Sequence, residues 1–153
     1  MLARGSYTVF ADYFQFYLWD KDADPEAPTE YSDDDINNRI KTGRNVAVIQ
    51  PVRNMEVPVE IEIHESDPGF DPDDWDHVAE CSLELPSGHL EIYECTGGPI
   101  AEFSIPQGVY RVRAQFGKLD ELSDDELDGN DHYKVTLWPS PLGEVKVIKQ
   151  WNP

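Results

Sequence analysis

Between Val57 and His64 the chain alternates strictly, with Val57, Val59, Ile61 and Ile63 on one side and Pro58, Glu60, Glu62 and His64 on the other. A period of two buries one face of a pleated strand and leaves the other to solvent. The same period returns in Ala79, Cys81, Leu83 and Leu85, in Tyr110, Val112, Ala114 and Phe116, and in Tyr133, Val135 and Leu137. Shorter strands are read at Val46 to Pro51, Leu90 to Cys95, Ile100 to Ile105, and around Val145 and Val147. Helix signals occur once: Ser32 caps the acids Asp33, Asp34 and Asp35, and Gly43 bounds two or three turns. A helical turn after Ser123 is a lesser reading. Strands follow one another at hairpin spacing without helical crossovers. The expected fold is therefore a single all-β domain over residues 1–153, mainly antiparallel. It reads as a β-sandwich of about eight or nine strands with one short helix, the alternative being a closed β-barrel.

Two details of that reading are specific. Ser6 to Trp19 is rich in β-branched and aromatic residues on both alternating faces, which predicts one continuous strand covered on both sides. Pro86-Ser87-Gly88-His89 supplies turn chemistry and predicts a hairpin, with Leu85 opposite Leu90 and Leu83 opposite Ile92. That register sets Cys81 opposite Glu94 and turns Cys95 to the other face, so no disulfide is expected and both thiols are read as free. Free thiols fit a reducing compartment. Met1 to Gly5 has no basic segment leading into an apolar one, so no signal peptide is read and a cytoplasmic location is the expectation. No apolar run is long enough for a membrane-spanning helix.

Charge excludes further classes. Lys and Arg number 12 against 31 acids, for a formal net charge of −19. From Asn54 to Tyr110 there are 14 acids and no Lys or Arg, and further clusters run from Asp12 to Asp35 and from Asp120 to Asp131. Nucleic acid and anionic lipid bind through cations and would be repelled, whereas a basic protein would be attracted. On the outward faces of the strands stand Glu60, Glu62, Glu80, Glu84 and Glu91, the candidate contact face for such a partner. Arg111 and Arg113 neutralise part of it if their strand pairs nearby.

Metal and catalytic patterns are sparse. Asp124, Glu126, Asp128 and Gly129 match the opening spacing of a calcium loop, but its twelfth position is Val135 where a bidentate Glu is needed. Asp71, Asp73, Asp74 and Asp76 crowd one loop without a Gly to shape a cage. His64, His77, His89 and His132 lack zinc spacing. There is no nucleophile elbow and no phosphate-binding glycine loop. Neither an enzyme nor a cofactor is expected.

Two stretches resemble a known family. Asp12-Tyr13-Phe14-Gln15-Phe16-Tyr17-Leu18 is similar to the opening strand of the competence protein J family. Pro106-Gln107-Gly108-Val109-Tyr110-Arg111-Val112, leading through Leu122-Ser123-Asp124 to His132-Tyr133, resembles its C-terminal pattern. The named member of that family inhibits a DNA-entry nuclease of competent bacteria. The resemblance implies an inhibitor or immunity-type protein that blocks a basic partner such as a nuclease, and assigns no inhibitory residue. The alternative is a ligand- or calcium-binding β-sandwich module using the loops Asp67–Asp76 and Asp124–His132.

Overall fold

The computed structural model describes residues 1–153. Its strands are β1 (Ala3–Phe10), β2 (Phe16–Asp20), β3 (Ile40–Gly43), β4 (Val46–Ile49), β5 (Glu56–Ile63), β6 (His77–Leu85), β7 (His89–Glu94), β8 (Gly98–Ser104), β9 (Gly108–Gly117), β10 (His132–Pro139) and β11 (Lys146–Lys149), with one helix, α1 (Asp33–Asn38). They form two facing sheets. One has six strands in the order β1-β5-β10-β9-β6-β11 and curves like half a barrel; the other has five, in the order β3-β4-β2-β7-β8. Every pairing is antiparallel except that of β10 with β5. Inward residues of both sheets make one apolar core of 26 buried side chains, including Ile61, Val112, Phe116 and Val135 from one sheet and Phe16, Leu18, Ile49 and Ile92 from the other. Each such aliphatic side chain contributes about 1.5–3 kcal/mol on burial.

The all-β sandwich is as expected, but three local expectations are corrected. The Ser6–Trp19 segment is not one strand. β1 lies in the six-stranded sheet and β2 in the other, joined by a single 3-10 turn at Asp12–Phe14. The expected hairpin does not form either: β6 pairs with β9 and β11, and β7 with β2 and β8. The turn between them carries the chain from one sheet to the other, so cross-sheet packing satisfies the apolar pattern that a hairpin would also have satisfied. Gly88 sits in that turn at φ +75°, and a Cβ there would clash with the Ile105 carbonyl oxygen. Finally, α1 has the expected Ser32 cap, completed by Asp35 into a capping box, but only six residues, because Arg39 turns left-handed and Ile40 enters the core opposite Ile49. With β1, β2 and β3 each separate, the strand count rises to eleven. Ser123 opens a hydrogen-bonded turn, not a helix.

Buried side-chain nitrogen and oxygen atoms are all partnered, as low dielectric demands. Asp20 accepts from the backbone N–H of Ser87 at 2.7 Å and of Asp22 at 2.9 Å, tying β2 to the crossing turn. Arg53 donates to Asp131 at 2.9 Å, and Tyr133 donates to the same carboxylate while accepting from the Val52 N–H at 3.1 Å. Burial, then the Asp131 carboxylate, pushes the Tyr133 phenol far above its usual range. Tyr110 donates to the Pro106 carbonyl, four residues back, at 2.6 Å and fixes the entry to β9. No helix is long and apolar enough to cross a membrane.

His77 locks the C-terminal segment to α1. Its Nδ1 accepts from the Trp151 N–H at 3.1 Å, which leaves Nε2 to donate to the Asn38 carbonyl at 2.7 Å. The ring is therefore neutral, and burial holds its pKa below the ordinary 6.5. The folded value is depressed, so the stabilisation is complete above the unfolded pKa near 6.5 and is lost as pH falls towards the folded value. Denaturant titrations at pH 7.5 and 5 should show a loss that His77→Gln reduces. Both cysteines are free thiols. Cys81 is fully buried and burial raises its pKa to about 12, while Cys95 is half-buried and accepts from Tyr17 Oη at 3.3 Å. Under native conditions a thiol reagent should leave Cys81 unmodified and consume it only after unfolding; equal labelling of both would contradict this packing.

Candidate protein-binding surface

The strand glutamates were read as one acidic face, and the pairing of β6 with β9 changes that. Hydrogen-bonded neighbours run Arg4, Glu62, Thr136, Arg113, Glu80 and Lys146 across the outer side of the six-stranded sheet. Opposite charges therefore meet. Glu80 accepts from Arg111 Nε at 3.1 Å and Arg113 Nε at 3.0 Å. Arg113 also grips Asp67 with both terminal nitrogens at 2.9 Å, and its guanidinium lies 4.5 Å from the Phe70 and Trp138 ring centres. This folds the acidic Asp67–Asp76 loop onto the sheet, and the Arg113 bonds hold the Asp67 carboxyl below its ordinary range. Glu62 meets Lys134 at 3.2 Å and His64 at 2.8 Å. Burial works to raise the Glu62 carboxyl, but bonds from Glu60, His64 and Lys134 outweigh it and leave it at about 2. Its neighbour Glu60 is raised by the bond the two carboxyls share.

The five candidates thus do not form one face. Glu84 projects freely from β6 and Glu60 is half-buried on β5. Glu80 is buried between two arginines. Glu91 belongs to the other sheet, where it accepts from Trp19 Nε1 at 2.9 Å beneath stacked Tyr17, Trp19 and Tyr93. Of the calcium candidates, Asp124, Glu126 and Asp128 are exposed on one turn. The turn is built on Asp125, which accepts from Ser123 Oγ at 2.6 Å and the Leu127 N–H at 3.1 Å. No three His, Cys, Asp or Glu side chains in the chain are grouped as a metal-ligand set.

Cations are used inside the fold. Lys21, Lys41, Arg53, Arg111, Arg113 and Lys134 pair with Glu102, Asp35, Asp131, Glu80, Asp67 and Glu62. Most of the 31 acids therefore have no cationic partner. Many gather at the end of the sandwich that carries α1. Asp12 and α1 belong to the first acidic cluster. The Asp120–Asp131 cluster is drawn to the same end through Arg53, which donates to the Leu127 carbonyl at 3.0 Å, and through Trp151, which donates to Asp120 at 3.3 Å.

At this end stand the most exposed aromatic residues of the chain, where a strand covered on both faces was the expectation. Tyr13 is 67% and Phe14 45% exposed, and both have positive φ, 58° and 59°. A left-handed conformation costs a residue with a side chain about 1–2 kcal/mol. Local bonds hold it: the Tyr13 N–H donates to Asn54 Oδ1 at 3.1 Å, the Phe14 N–H to the Ala11 carbonyl at 2.9 Å, and Thr96 Oγ1 to Asp12 at 2.8 Å. Beside the turn, Phe14, Ile36 and Val52 line a hollow of about 410 Å³ with Tyr31, Gln50 and Arg39. Ile36 is 50% exposed. The available signal was apolar residues on both faces of Ser6–Trp19, more than a two-layer sandwich covers.

No protein-family model matches the chain, and no curated protein matches it significantly. Solved structures share its fold. ComJ from Bacillus subtilis, described as an inhibitor of the DNA degrading activity of NucA, superposes with a TM-score of 0.67 at 14% identity, over 90% of this chain and 96% of that one. A protein described as crocagin biosynthetic gene J superposes with a TM-score of 0.57 at 19% identity, over 91% and 97% of the two chains. The chain thus has the fold of ComJ along nearly the whole length of both.

Proposed function

We propose that this chain is an inhibitor-type binding protein whose target is a basic protein, in particular a nuclease that exposes cations to hold phosphate. The observation that carries the reading is the surplus of exposed carboxylates that remains after six Lys and Arg side chains have paired within the fold. A polyanionic surface competes for the cations that a nuclease presents to DNA, and it raises the encounter rate with them. The fold likeness to ComJ supports the same class of role. Among the strand glutamates, Glu84 and Glu60 are the proposed contacts, while Glu62, Glu80 and Glu91 act as scaffold through Lys134, the two arginines and Trp19.

The test is titration of the purified chain into a lysate of its own organism, scored for degradation of added DNA. A DNA-degrading activity should fall as the chain is added, and recover as salt rises towards about 0.5 M, where exposed charges are screened beyond a few ångströms. Unchanged degradation at every ratio would defeat the proposal. Paired substitutions separate contact from scaffold. Glu80→Gln should lower unfolding free energy by about 1–3 kcal/mol, because one buried and one half-buried guanidinium group lose an ionised acceptor. Glu84→Gln should leave stability within about 0.5 kcal/mol and weaken inhibition instead.

A further inference from the structure

Resting on that reading, the structure assigns a further, anchoring contact to the α1 end of the sandwich, in addition to Glu84 and Glu60. We propose that the hollow between the Tyr13–Phe14 turn and α1 receives an apolar side chain from a loop of the basic partner, whose flanking Lys or Arg residues meet the acids around it. Four observations converge. First, Tyr13, Phe14, Ile36 and, nearby, Leu127 are between 45% and 67% exposed, and aromatic side chains with apolar surroundings are the usual anchors of a protein interface. Secondly, Asn or Gly would make the same left-handed turn with less strain. Two aromatics held there by Asn54, Ala11 and Asp12 are presented outward by the fold in spite of their backbone preference. The inference runs from the observed strain to a function.

Thirdly, the rim is acidic. Asp33 lies three residues before Ile36 and shares its helix face, and Asp34 is exposed beside it. On the far side of the turn, Glu56 and Asp128 border a second hollow of about 370 Å³ with Phe10, Met55, Leu127 and Arg53, whose charge is already paired with Asp131. Fourthly, no carboxylate-bearing residue lines the hollow itself. Arg39 lines it with no carboxylate partner, and its guanidinium lies 5.2 Å from the Trp151 ring centre. A cation is therefore disfavoured within the hollow, which suits an apolar side chain, while the rim suits cations. Arg39 is left to donate to a backbone carbonyl of the inserted loop. The other exposed apolar strip, Leu142, Val145 and Ile148, is interleaved with Lys146 and Lys149. Its charge is wrong for the same partner.

The test places the photo-cross-linker p-benzoylphenylalanine at Phe14, Ile36 or Glu84, one at a time, and irradiates each protein in lysate of its own organism. The labelled protein is identified, purified and titrated against wild type and Phe14→Asn. Asn tolerates the left-handed backbone, so this variant keeps the turn and loses the ring; its melting temperature should be unchanged or higher. The proposal expects the Phe14 and Ile36 probes to label the same basic protein, and Phe14→Asn to bind it about 30-fold more weakly, as a hot-spot anchor would. Labelling of a basic protein from Glu84 alone overturns this site and leaves the inhibitor reading standing, as does wild-type affinity in Phe14→Asn. Labelling of a second copy of this chain makes the end a homodimer face and also overturns it. If no probe labels a basic protein, the inhibitor reading and this site fall together.

Discussion

Arg113 is the residue on which the acidic outer layer depends. It is 4% exposed, lies between the Phe70 and Trp138 rings, and joins β6 to β9 through Glu80 and the Asp67 loop to both. A guanidinium suits this position because it is planar, weakly hydrated and forked, so it can stack and bind two carboxylates at once; an ammonium would satisfy only part of that. Without it, the loop carrying Asp67, Asp71, Asp73 and Asp74 would face Glu80 with only Arg111 left to offset the like charges. Arg111 and Lys134 extend the arrangement to either side. The outer side of this sheet is thus an ion-paired layer and not an open acidic face.

That outcome shows how far the sequence could be read. Alternation placed Glu60, Glu62, Glu80 and Glu84 outward, since a period of two fixes the face of a strand once one set of side chains is buried. Neutralisation by Arg111 and Arg113 was legible only as a condition, because pairing between β6 and β9 joins segments about thirty residues apart. The β6–β7 turn illustrates the same limit. Pro86, Ser87 and Gly88 signal a reversal, but a tight reversal serves equally to return along one sheet or to cross to another. What decided it was Asp20, buried and bonded to the Ser87 N–H, a contact 67 residues away in sequence.

The Asp12–Phe14 turn was hidden for a different reason. Tyr and Phe favour strands, and nothing in their propensity announces a left-handed turn. Local preference and observed conformation disagree here. Sequences that fold well are usually consistent across levels, and departures concentrate at functional or strained sites. The family resemblance began at this segment, where residues read as an ordinary strand are in fact the point at which the chain changes sheets.

In the proposed complex, charge and apolar surface divide the work of binding. At physiological ionic strength a field from exposed carboxylates decays over about 8 Å, so acids spread over the surface steer an approaching basic protein without fixing its orientation. They act on the rate of association, which changes modestly among related complexes. Residence depends on groups that become dry in the complex, and acids make poor dry contacts unless each finds a partner. A protein with 31 acids therefore still needs an apolar anchor if it is to hold one target for long. The fold provides the two separately. Paired charges stiffen the six-stranded sheet, most unpaired charges stand on loops and helix, and the aromatic turn is carried where the chain passes between sheets, at the end where the Asp120–Asp131 cluster meets Asp12 and the acids of α1.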